Sequence, residues 1–137
     1  MDSPHNERRR IAFVSTRLAG LDGVSLETEK WAAILEAMGH RCVYVAGECE
    51  RLASESRLIP ELHFKHPTIS SINEQCFGRM LRAREVASQI HEMKWIIGQK
   101  LQSTVEDFNA DLIIAENCLT IPLNIPLGLA LVELVME

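Results

Sequence analysis

The stretch IAFVSTRLAGLDGVSLETEKWAAILEAMGHRCVYVA, Ile11 to Ala46, decides the fold. Ile11-Ala12-Phe13-Val14 is a short apolar run ending in Ser15-Thr16, as expected of a strand buried on both faces of a parallel sheet. Leu18-Ala19-Gly20-Leu21-Asp22-Gly23 then forms a loop with two glycines three apart. Ser25 is expected to cap a helix, with Glu27 and Glu29 placing negative charge where the helix dipole favours it. Val24, Thr28, Trp31, Leu35 and Met38 recur at helical steps and predict one apolar stripe. Gly39 is the expected left-handed stop, and Cys42-Val43-Tyr44-Val45-Ala46 reads as a second strand. Residues 11–46 therefore predict a β-α-β unit, whose crossover is right-handed and whose strands are parallel.

Around this unit the chain divides further. Residues 1–10 are a polar tail carrying Arg8-Arg9-Arg10, a solvated flank of the first strand. Residues 47–71 are irregular, although Leu62 and Phe64 alternate with polar neighbours and suggest a short edge strand. Ser71 and Glu74 have capping-box spacing, and apolar residues at steps of three or four predict a long helical region over 72–108. Unbroken, that helix would be roughly 55 Å long, too long for a compact small domain. A bend or break is expected, with Gly78 or Gly98 the weakest points. Residues 109–137 give a strand at Leu112-Ile113-Ile114-Ala115, a proline-bounded loop, and an apolar helix from Pro126 expected to be buried on all sides. The whole, 1–137, reads as a single Rossmann-like α/β domain, truncated before completion.

Composition narrows the function. A net charge of −5 gives no electrostatic case for nucleic acid. Cys42, Cys49, Cys76 and Cys118 lack metal-knuckle or redox spacing, which implies a reduced, cytoplasmic protein. The polar N-terminus offers no secretory signal, and the apolar stretch 121–136 is too short and too interrupted to span a membrane. The histidines form no constellation, so no metal site is expected.

In open parallel sheets ligands bind beyond the carboxyl ends of the strands. Two segments should reach that edge: the loop containing Gly20, Asp22, Gly23 and Val24, and Glu116-Asn117 after the later strand. The glycines permit close ligand approach and the following helix offers free N–H groups to an anion. Asp22 would repel that anion. The loop has neither the three glycines of a dinucleotide site nor the lysine of a P-loop.

Ile11 to Ser15, Gly20 to Val24, Trp31-Ala32, Leu35, Gly39-His40 and Cys42-Val43 together resemble the N-terminal domain of GT-B glycosyltransferases of the retaining family 4 type. Asp111 to Asn117 is similar to a later strand of that domain, ending at the interdomain cleft. The resemblance implies an incomplete N-terminal half of a GT-B architecture and transfer of a sugar from a nucleotide sugar to an acceptor with retention. It makes Gly20, Asp22, Gly23, Val24, Glu116 and Asn117 candidate substrate-binding residues, with Asp22 standing where the family commonly has a second glycine. No cofactor is implied beyond the nucleotide sugar, a substrate. The implied partner is a C-terminal donor-binding domain absent from these residues, so the chain alone is expected to be inactive. Self-association through the C-terminal helix is a further expectation. Two alternatives stand beside this reading: another nucleotide-binding Rossmann module, and a non-enzymatic module docking through its apolar C-terminal helix.

Overall fold

The computed structural model describes residues 7–77, 84–118 and 123–136. Strand β1 (Arg10–Ser15) leads to helix α1 (Gly23–Ala37), β2 (Arg41–Ala46) and a short β3 (Ser56–Leu58). Helices α2 (Pro67–Cys76) and α3 (Arg84–Phe108), strand β4 (Leu112–Glu116) and helix α4 (Ile125–Met136) follow. The strands lie in the order β3-β2-β1-β4, and every pairing is parallel. The apolar runs take the centre: Ile11 pairs with Cys42 on one side and Leu112 on the other. The protein is thus an α/β domain, a Rossmann-like parallel sheet with flanking helices.

Alternation along the strands sends side chains to two different cores. Ile11, Phe13, Cys42, Tyr44 and Ala46 face α1, with Ala32 and Leu18 packed over them. Val14 and Val45 face the other way, into a larger core built from Ile69 and Ile72 of α2, Val86 to Leu101 of α3, and Leu127, Ala130 and Leu131 of α4.

Several local expectations are corrected. The cap of α1 is Asp22, whose carboxylate accepts from the Ser25 N–H; Ser25 already lies within the first turn. The buried stripe of α1 is turned from the expected one: Thr28 and Ala32 are buried, while Trp31 and Met38 are exposed. Small Ala32 lets the helix approach the sheet, and Trp31 points outward with its indole N–H donating to Glu27. Leu62 and Phe64 do not form a strand; Pro60–Leu62 is a 3-10 turn that buries Leu62, and the edge strand is Ser56–Leu58. Helix α2 starts at Pro67, capped by the His66 imidazole accepting from Thr68 N–H, so Ser71 and Glu74 sit inside it. The long helical region is broken after Cys76, where Phe77 is extended. Gly98 lies within the continuous α3, and Gly78 lies outside the described residues. Helix α4 is buried on one side only; Leu129, Val132, Val135 and Met136 remain exposed.

Candidate functional site

The loops beyond β1 and β2 stay bonded to each other after the strands end. Gly47 N–H donates to Thr16 O (3.0 Å), Leu18 N–H to Glu48 O (2.8 Å), and Glu50 N–H to Leu18 O (3.1 Å). Gly47 is packed so closely that a Cβ there would lie 2.3 Å from the His63 backbone nitrogen. The carboxyl edge is therefore a braced platform, rigid enough to hold side chains in fixed geometry.

On it, Gly20 takes a left-handed conformation (φ +72°) that L side chains rarely adopt. Its N–H donates to the Glu50 carboxylate (3.1 Å). Asp22 is bonded to Ser25 N–H and ion-paired with Arg17, which also holds Glu48. The Ser25 N–H, aided by Arg17, keeps the Asp22 carboxyl below its ordinary range. The Arg17 hydrogen bond does the same for Glu48. Asp22 thus occupies the helix N-terminus itself, its charge answered by Arg17. Gly23, the first residue of α1, is exposed with open space around its Cα, and Val24 is half-buried against the α1-side core.

Glu116 ends β4 opposite Ser15, whose hydroxyl donates to the Glu116 carbonyl (3.0 Å). It falls on the same side of its strand as Ile114, which packs in the α1-side core. Burial raises its carboxyl above the ordinary range, and the charge of Glu27, one turn into α1, adds to the rise. Asn117 follows with a left-handed backbone (φ 57°), which asparagine tolerates better than most residues. The structure therefore sets the loop residues Gly20 to Val24 and the pair Glu116-Asn117 along one edge of the sheet, beside the start of α1.

A third segment, not among the two strand ends singled out by the sequence, reaches the same edge. Glu48, Glu50 and Arg51 follow β2 directly, so the rule that selected Glu116 would have selected them. A pocket of about 200 Å³ lies here, lined by Leu18 to Gly20, by Ser25, Thr28 and Glu29 of α1, by Tyr44 of β2, and by Glu50 and Arg51. Thr28 is buried, and its hydroxyl has no hydrogen-bond partner. Burial pushes the Tyr44 phenol up to about 12, so it stays a neutral hydrogen-bonding group. A larger groove of about 570 Å³ runs along α3 past His91 and Trp95, but all its lining residues belong to that one helix. It is a helix flank, whereas the smaller pocket is a convergence of separate segments. Among the described residues no cluster of His, Cys, Asp or Glu could hold a metal ion, and no helix is long and apolar enough to cross a membrane.

These features define a parallel α/β domain whose polar groups converge at the carboxyl edge, beside the first glycine loop. The chain is 32% identical over 128 residues to the mannosylglucosylglycerate synthase of Thermotoga maritima. The alignment takes in 91% of this chain and 29% of that enzyme, so the chain spans under a third of the relative's length. No family model and no solved structure matches the chain.

Proposed function

We propose that the chain is the acceptor-side part of a glycosyltransferase, of the retaining GT-B family 4 type, which moves a sugar from a nucleotide sugar to an acceptor. The observation that carries this reading is the similarity to a sugar-glycerate synthase along nine-tenths of the chain. The parallel sheet, with polar groups gathered at its carboxyl edge, supports it, because that is where such sheets bind ligands. The relative's name joins mannosyl and glucosyl units to glycerate, and the corresponding acceptor class here is a glycoside of a small hydroxy acid.

Within this reading Gly20, Asp22, Gly23 and Val24 form the loop that substrate approaches, and Glu116 and Asn117 form the adjacent wall of the cleft. Asp22 acts by position, fixing the start of α1. A donor-binding domain elsewhere in the enzyme supplies most contacts to the nucleotide sugar, so these residues alone are inactive. The exposed apolar side of α4 is covered by that enzyme's remaining chain or, in isolation, by a second copy. The four free thiols suit a reducing cytoplasm.

The test is Gly23→Trp in the enzyme that carries this chain. Gly23 is exposed and no atom lies within 4 Å of where its Cβ would be, so a side chain can leave the backbone there and the fold is expected to survive. Transfer is expected to fall about a hundredfold or more, because displacing bound substrate by an ångström has that effect. Unchanged turnover, with unchanged melting temperature, would remove the loop from the cleft.

A further inference from the structure

The two arginines of the carboxyl edge are in opposite circumstances. Arg17 is held by two carboxylates, Asp22 and Glu48. Arg51 pairs with no carboxylate among the described residues. Its guanidinium carbon lies 4.3 Å from the centroid of the Tyr44 ring, which in turn stacks on Phe13 with centroids 5.8 Å apart. Stacking uses the flat face of a guanidinium and leaves the N–H donors along its edge free. Those donors match the two oxygens of a carboxylate, the pairing in which arginine is strongest.

We propose that the pocket between the β1–α1 loop and the end of β2 holds the acid end of the acceptor, with Arg51 as the carboxylate clamp. This rests on the reading of the chain as the acceptor side of a glycosyltransferase. Size supports the assignment: about 200 Å³ is below the roughly 300–1,000 Å³ usual for drug-sized ligands. The space suits a three-carbon acid and is too small for a nucleotide sugar. The rest of the lining suits a hydroxy acid as well. The Ser25 hydroxyl already donates to Ala19 O (3.1 Å), which leaves its oxygen free to accept. Two acids, Glu50 and Glu29, also line the pocket and oppose an anion there, but neither is turned to the Arg51 guanidinium. Glu50 is engaged by Gly20 N–H, and Glu29 is exposed on α1, where water screens it. Arg51 is thus a binding and specificity residue that sorts acidic from neutral acceptors.

The experiment compares glucosylglycerate with glucosylglycerol, which keeps the sugar and lacks the carboxylate, by NMR titration of the 137-residue chain. The chain is expected to bind the acid about tenfold more tightly or better. Arg51→Gln should erase that preference, bringing the two affinities together. Arg51→Lys should restore only part of it, because lysine keeps the charge and loses the fork. A preference that survives in Arg51→Gln, or no preference in the unaltered chain, overturns the assignment. Transfer assays on the enzyme that carries this chain separate the two ways of failing. Transfer that ignores the acceptor's carboxylate sinks the Arg51 clamp alone, whereas transfer to no acceptor at all sinks the functional reading beneath it.

Discussion

The two faces of the sheet are built for different work. On one, α2, α3 and α4 close over Val14 and Val45 with a broad aliphatic core from Ile69 to Leu131. On the other, α1 alone covers a thinner core in which the aromatic pair Phe13 and Tyr44 does much of the filling. The polar groups buried on the thick face, Thr104 and Asn124, are spent on bonds within the fold. The thin face leaves the ends of β1 and β2 uncovered, and there Arg17, Glu48, Glu50, Arg51 and the unpartnered Thr28 hydroxyl collect. Apolar area buried by the three helices stabilises the domain, which frees the thin face to carry polar groups that contribute little to stability.

The largest loss of stability is expected on the thick face. Ile97 is fully buried in the middle of α3. Ile97→Ala should cost about 2–5 kcal/mol, the range for deleting a large aliphatic side chain from a packed core. Leu35→Ala, on a half-buried position of α1, should cost clearly less. Urea unfolding of both variants checks the order; equal losses would mean the two faces share the stability evenly.

A smaller effect belongs to the thin face. Asp22→Ala removes the cap of α1 and should cost about 1 kcal/mol, as lost N-caps usually do. Its ion pair with Arg17 is substantially exposed and adds little. The pH dependence has a definite sign. The folded-state pKa of Asp22 is depressed below its ordinary 3.8, so its contribution is complete above about pH 4 and is lost as pH falls through the folded value. The stability gap between the parent and Asp22→Ala should therefore be constant near neutrality and close in acid. A gap that widened on acidification would contradict the assigned cap.

How much of this was legible beforehand follows from which residues are buried on both sides. Ile11 to Val14 and Cys42 to Ala46 announce themselves because both of their faces meet apolar neighbours. The α1 stripe lies a fraction of a turn from the one the sequence suggests, since Trp31 is apolar enough to suggest core yet Ala32 is what fits against the sheet. Leu62 and Phe64 imitate a strand, but Pro60 and the closing 3-10 turn use their spacing differently. The Ser71–Glu74 spacing is equally compatible with a helix interior, and His66-Pro67 start that helix earlier. At the site, Gly20 to Val24 and Glu116-Asn117 follow from strand ends alone. Arg51 lies beyond a strand end as well, but its role comes from the Tyr44 ring beneath it, seven residues earlier on β2. Thr28 likewise reads as an ordinary helix residue until its hydroxyl is found without a partner.

Substrate is expected to meet this domain on the α1 side of the carboxyl edge. Amide chemical-shift mapping of the chain with excess glucosylglycerate tests it directly. The perturbed amides are expected to cluster at Gly20, Ser25, Thr28 and Tyr44, with Ile97 and Leu127 in the thick core unmoved. Shifts confined to Ala87, His91 and Trp95 along the outer flank of α3 would contradict it and move the binding surface to the other side of the molecule.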